Sequence, residues 1–347
     1  MYTRQGILLI CALIAVVALV SGCGGESTVE AEAEAGNFYD LDPPALGLTV
    51  VAGFESGVPV LCYHYFRAGF DAGYLAKVFG SVIFGMPALG PREFWTTPVG
   101  EFEKHLRYFR DSGTRVMTLD EVADSVDAGH PLPTRAVILT IDDADESVYR
   151  LAYPLLQKYD MRAHLFVPTS YVGSEWSELK VCTWDQLQEM SDSGIIQIGS
   201  HTRDLHFKVK TPEGLEPVFW NPDQVPVEMQ NLNMGDLELY QHQDPMGALS
   251  PSAKASLTGR WAPVAADLLA SRYDIAHQLQ VDARWLAWPY GFAHGDLDSI
   301  SQLVGFRGTV SLEPAAFTEN DTLLAPGRYT LTAKTTLDMI KSVMPPQ

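Results

Sequence analysis

Ala136-Val137-Ile138-Leu139-Thr140-Ile141-Asp142-Asp143 is an apolar, β-prone run that ends in two adjacent carboxylates. A stretch of this length and composition reads as a strand. Consecutive side chains point in different directions, so the two carboxylates at its end can take different roles, one binding a metal while the other faces a water. A pair of helix-capping aspartates is the plainer alternative, because Asp is common at helix starts.

Runs of the same form flank it. Val58-Pro59-Val60-Leu61-Cys62-Tyr63-His64, Ala163-His164-Leu165-Phe166-Val167 and Ile195-Ile196-Gln197-Ile198-Gly199 read as strands, the first also ending in polar side chains. Between them, Glu101 to Ser112 puts Phe102, Leu106 and Phe109 on one helical face, and Tyr149 to Lys158 and Trp184 to Met190 read as amphipathic helices. Strand and helix in alternation predict an α/β domain from about Gly57 onward, with parallel pairing in a barrel or a doubly wound sheet. Ala68 to Gly90 and the proline-dotted stretch Phe207 to Gly259 interrupt this rhythm, and long loops on such a scaffold usually shape binding.

Ser200-His201-Thr202-Arg203-Asp204-Leu205-His206 places two imidazoles five residues apart just after a strand. Two neutral imidazoles and a carboxylate leave coordination positions open, which a hydrolytic metal requires. Leu286-Ala287-Trp288-Pro289-Tyr290-Gly291 is a strand ending in a sharp turn that can aim a backbone N–H into a cleft and so stabilise an oxyanion. His105, His130, His164, His242, His277 and His294 stand alone and read as structural or solvent-exposed.

The 347 residues are 46% hydrophobic and 19% charged, which excludes disorder of the whole chain and allows one large domain or two ordinary ones. Residues 1–22 carry Arg4 and then an apolar run from Ile7 to Val20, the pattern of an export signal. Leu19-Val20-Ser21-Gly22-Cys23 resembles a bacterial lipobox, which implies acylation of Cys23 and stable anchoring by several acyl chains. Residues 23–56 then form the lipidated N-terminus and an acidic tether, with Glu26, Glu30, Glu32 and Glu34 and few groups able to build a core. Cys62 and Cys182 remain as either one disulfide or two separate buried thiols. The formal charge of −19 becomes −20 without residues 1–22, which repels nucleic acid and attracts a cationic polymer.

Taken in order, Pro59-Val60-Leu61-Cys62-Tyr63-His64, Thr140-Ile141-Asp142-Asp143, Ser200-His201-Thr202 with His206, and Trp288-Pro289-Tyr290-Gly291 resemble the polysaccharide deacetylases of the NodB-homology, carbohydrate esterase family 4 type. The resemblance runs from about Val58 to Lys341, making 57–347 a single domain with a long insertion at about 207–259. It is strongest with the branch acting on poly-β-1,6-N-acetylglucosamine, given the histidine spacing and a Tyr-His pair on the first strand. It implies a distorted (β/α) barrel and a divalent metal, zinc first with cobalt, nickel or iron fitting the same donors, on Asp143, His201 and His206.

Asp142 would be the general base and the Tyr290 N–H an oxyanion donor. No histidine follows His294, so the family's C-terminal general acid is absent and His64 is its candidate replacement. Ile141, Ala144 and Trp288 depart from the family pattern, and Trp288 leaves the cation that orients Asp142 unassigned. Arg328 is the alternative, against the base-rate expectation of a surface arginine. The implied activity is N-deacetylation of an amino-sugar polysaccharide by an exported, lipid-anchored envelope enzyme, on the periplasmic side, the outer membrane or the cell surface. A peptidoglycan or chitin-oligomer deacetylase and an inactive polysaccharide-binding protein remain as alternatives.

Overall fold

The β-prone runs form strands where their patterning places them, and the computed structural model describes residues 56–69, 91–176, 179–225, 260–291 and 295–346. The expected export segment, Cys23, the expected tether up to residue 55, most of 68–90, residues 226–259, His242 and His294 lie outside the described residues.

The main sheet has nine strands: β1 (Val58–Tyr63), β2 (Arg115–Met117), β3 (Ala136–Ile141), β4 (Ala163–Val167), β5 (Ile196–Ser200), β6 (Trp285–Ala287), β7 (Gly308–Val310), β8 (Ala316–Phe317) and β9 (Tyr329–Thr330). Their order is β7-β6-β5-β4-β3-β1-β8, with β9 also on β1 and β2 also on β3. Every pairing in this sheet is parallel except β1 with β8. Among the described residues β7 and β8 do not pair, so the sheet is a curled half-barrel, the distorted form expected. Strands β3 and β4 coincide with the predicted runs, and β5 starts one residue later than predicted.

The helices among the described residues include α1 (Val99–Asp111), α2 (Leu119–Asp127), α3 (Tyr153–Tyr159), α4 (Trp184–Asp192), α5 (Ala262–Leu279), α6 (Gly295–Leu303) and α7 (Leu337–Val343). Helix α1 buries Phe102, Leu106 and Phe109 as its periodicity predicts. It also buries His105, whose Nδ1 lies 3.1 Å from the Tyr63 hydroxyl. The single helix expected over 149–158 begins as a π turn, Val148–Ala152, before α3. Pro154 has no N–H to donate to the carbonyl four residues back, so the turn before it widens.

Helices α2 and α4 each start with a reciprocal capping box, Thr118 with Glu121 and Thr183 with Gln186. The Leu119 N–H at the start of α2 donates to His164 Nε2 at 2.8 Å, which fixes His164 as a neutral acceptor. Parallel pairing sends the C-terminal ends of β1, β3, β5 and β6 to one edge. Sites in such sheets gather at that edge.

Candidate active site

Strand β3 hands its two carboxylates to opposite tasks. Asp142 still pairs with β1, its N–H donating to the Tyr63 carbonyl at 3.0 Å. At Asp143 the backbone turns to φ 69° and at Ala144 to φ 53°, a left-handed step that takes the second carboxylate away from the first. The two carboxylates have two different sets of neighbours.

Asp143 Oδ2 accepts the Tyr65 hydroxyl at 2.6 Å. Its Oδ1 has no hydrogen-bond partner and lies 3.4 Å from Nε2 of both His201 and His206. The two Nε2 atoms are 3.1 Å apart. His201 Nδ1 is 2.7 Å from the Ala287 carbonyl. A carbonyl only accepts, so the proton sits on Nδ1 and the lone pair of Nε2 faces Asp143. With His206 in the same tautomer, three buried electron-rich atoms face one another, an arrangement that a cation between them relieves. Ligands about 2.0–2.1 Å from zinc in a tetrahedron are roughly 3.3 Å from each other, which these separations match. Asp143, His201 and His206 therefore fit a divalent metal by donor chemistry and by spacing.

Burial works against the Asp143 charge, but the adjacent His201 and His206 imidazoles outweigh that and hold the carboxyl well below its ordinary range. Burial drives His206 down to about 4, leaving it neutral and able to donate a lone pair. For His201 burial is opposed and overcome by the adjacent Asp143 and Asp142 carboxylates, so its pKa is raised, the direction that favours a protonated ring where no cation is bound.

Asp142 is bound by Arg328 on both oxygens, Nη1 to Oδ1 at 2.7 Å and Nη2 to Oδ2 at 2.8 Å. Arg328 is fully buried; its Nε donates to the Ser311 carbonyl at 2.8 Å and its Nη1 to Thr140 Oγ1 at 3.2 Å. The surface location expected for Arg328 is thus wrong, and the cation left unassigned by Trp288 is this residue. Pairing of β9 with Leu61 and Cys62 of β1 carries Arg328 into the sheet interior. Burial opposes the Asp142 charge, but the Arg328 guanidinium overrides it and keeps the carboxylate ionised.

His64, Tyr65, Trp95, Asp142, Asp143, His201, His206, Tyr290 and Leu312 line one pocket. All six positions expected to carry chemistry are among them. His64 follows β1, with its ring 5.0 Å from that of Trp95 and a ring nitrogen within 4.8 Å of an Asp142 oxygen. Burial lowers its pKa, with Asp142 and Asp143 pulling it back. Tyr290 has φ 62° and ψ 0° inside the Pro289–Gly291 turn, with its ring 4.9 Å from that of His206.

Cys62 and Cys182 are separate buried thiols, which resolves the alternative left open by their count. Cys62 Sγ lies 3.5 Å from Asp142 Oδ2. The Tyr of the expected Tyr-His pair, Tyr63, points to His105 instead, and Tyr65 is the tyrosine that reaches the site. No spacing in the sequence distinguishes Tyr65 from Tyr63.

Half-barrel, paired aspartates and histidine pair together point to the polysaccharide deacetylase type. Residues 129–309 match the polysaccharide deacetylase family, and the chain belongs to it. The chain is 26% identical over 221 residues to the poly-β-1,6-N-acetyl-D-glucosamine N-deacetylase of Staphylococcus aureus (strain MSSA476), covering 63% of this chain and 62% of that protein. The match thus spans less than two thirds of that relative's length. The Staphylococcus epidermidis protein of the same name is 33% identical over 107 residues, 30% of this chain and 37% of that one. Among solved structures, IcaB from Ammonifex degensii superposes with a TM-score of 0.59 at 26% identity, covering 84% of this chain and 96% of that one. The de-N-acetylase from Aggregatibacter actinomycetemcomitans shares the fold with a TM-score of 0.59 at 21% identity, covering 83% and 99%.

Proposed function

We propose that this protein is a metal-dependent N-deacetylase acting on an N-acetylglucosamine polymer such as poly-β-1,6-N-acetylglucosamine. The observation that carries this reading is the convergence of Asp143, His201 and His206 beside an Arg328-bound Asp142 in one pocket. The names of the staphylococcal relatives favour the same substrate class.

Asp143, His201 and His206 would hold a divalent metal, zinc first with cobalt, nickel or iron compatible, and its chemistry there would be Lewis acidity toward the acetyl carbonyl and water. Asp142 takes the proton of the attacking water as general base. Its Oδ1 keeps a lone pair beyond the one given to Arg328, while Oδ2 also faces the Cys62 thiol. His64 protonates the departing amine, and the burial that lowers its pKa makes its protonated form a ready donor. The Tyr290 N–H shares the charge that develops on the carbonyl oxygen. Water adds to the acetyl carbon, the C–N bond breaks, and the products are acetate and a free amine on the polymer.

Export and lipid anchoring at Cys23 complete the reading, supported by the apolar run Ile7 to Val20 and the Ser21-Gly22-Cys23 sequence. Among the described residues no helix is long and apolar enough to cross a membrane. The domain would then stand off on residues 23–56 in the cell envelope.

Acetate release from β-1,6 and β-1,4 N-acetylglucosamine oligomers, with defined metal, tests this function. Preference for the β-1,6 series is expected. Activity on β-1,4 oligomers alone would redirect the assignment to peptidoglycan or chitin-like substrates, and none on either would favour a polysaccharide-binding protein.

A further inference from the structure

For His201 and His206 to meet one ion, the chain between them must keep one shape. That chain leaves β5, turns through Thr202 at φ 68°, and presents the N–H groups of Arg203 and Asp204 away from the pocket, toward α5. There the Asp267 carboxylate accepts both, Oδ1 from Arg203 N and Oδ2 from Asp204 N, each at 2.8 Å.

Asp267 is 2% exposed. A buried carboxylate in a helix costs free energy that an apolar residue at the same place would not, so its hydrogen bonds need a reason. Both are made to the turn that joins the two histidines. A carboxylate can accept on two oxygens at once, whereas the amide of Asn offers one acceptor.

The same face of α5 continues the grip. Ser271 Oγ lies 2.7 Å from Ser200 Oγ, and Asp274 Oδ2 accepts from Thr169 Oγ1 at 2.9 Å and from Arg203 Nε at 3.2 Å. Positions 267, 271 and 274 follow the spacing of one helical face. Three side chains of α5 therefore bear on the histidine turn and its neighbour after β4.

We propose that Asp267, seconded by Asp274, is a positioning residue: through the Arg203–Asp204 turn it sets the separation of His201 and His206, and with it metal affinity, without touching metal or substrate. This rests on the reading of Asp143, His201 and His206 as metal ligands. Outer partners of this kind typically change metal affinity by about 10–100-fold when removed.

The test is the zinc dissociation constant of the full chain, by competition with a chromogenic chelator, for wild type, Asp267→Asn and Asp274→Asn, beside melting of each metal-free protein. Asp267→Asn is expected to raise the constant roughly 10–100-fold while kcat at saturating zinc changes little. Asp274→Asn is expected to raise it by less. Wild-type affinity in folded Asp267→Asn overturns the proposal even where its melting temperature drops, because a merely structural role moves melting and not affinity. Should Asp267→Asn not fold, wild-type affinity in Asp274→Asn, whose side chain is 27% exposed, overturns it instead. A wild-type protein that takes up no zinc would overturn the functional reading together with this one.

Discussion

Arg328 holds Asp142 in a fork, 2.7 and 2.8 Å on its two oxygens, with the arginine fully buried and the aspartate nearly so. The pair lies within the sheet interior, where neither charge is solvated without the other. Replacing Arg328 with Met leaves a buried carboxylate unpaired, a defect worth about 3–5 kcal/mol. Urea unfolding of Arg328→Met, Asp142→Asn and the double variant should show the double less destabilised than the sum of the two singles. Strict additivity would mean that the fork contributes nothing.

Acid should loosen the fold through histidines outside the Asp143, His201 and His206 group. Burial holds His105 and His164 down to about 4, so the folded protein binds fewer protons than the unfolded chain between that value and about 6.5. The sign follows directly: stability is fully present above about pH 6.5 and is lost as pH falls toward 4. Each shift corresponds to about 3 kcal/mol at most. His206 shifts in the same direction but is a proposed metal ligand, so His164→Gln, which keeps an acceptor for Leu119 N–H, isolates one contribution. A urea midpoint for this variant as steep in pH as that of wild type would show that His164 plays no part.

Gly291 sits at φ +76°, and a Cβ there would come within 2.4 Å of Leu312 Cβ and Cγ. Gly291→Ala should cost about 1–2 kcal/mol from the backbone alone and push Leu312, a pocket residue, out of place. A raised KM beside a lower melting temperature is the expected result. An unchanged KM would separate this turn from substrate binding.

The Tyr65 hydroxyl donates to Asp143 Oδ2 and so orients the carboxylate within the metal set. Tyr65→Phe is expected to weaken metal binding by about 10–100-fold and to be rescued by added metal. Activity that stays low at saturating metal would give Tyr65 a different role.

What was legible in the sequence divides along a physical line. Strands such as Ala136–Ile141 announce themselves because residues buried in a parallel sheet must be apolar, and the polar residue that follows is then conspicuous. Asp142, Asp143, His201 and His206 stood out for that reason. Arg328 did not, because what makes it functional is the pairing of Tyr329–Thr330 with Leu61–Cys62, a contact across most of the chain that no local pattern carries. Tyr65 was hidden by the break in strand pairing at His64, after which alternation no longer says where a side chain points. Asp267 looks like any solvated aspartate of a helix until α5 is seen against the histidine turn.

The most direct measurement is acetate release from a β-1,6 N-acetylglucosamine oligomer by chelator-stripped protein titrated with zinc, run in parallel on Asp142→Asn. Activity should be absent from the stripped protein and rise to a plateau near one equivalent of zinc. Asp142→Asn should take up the same zinc yet turn over about 10²–10⁴-fold more slowly. Stripped protein that keeps its full rate, or an Asp142→Asn variant as fast as wild type, would contradict the assignment of metal and base.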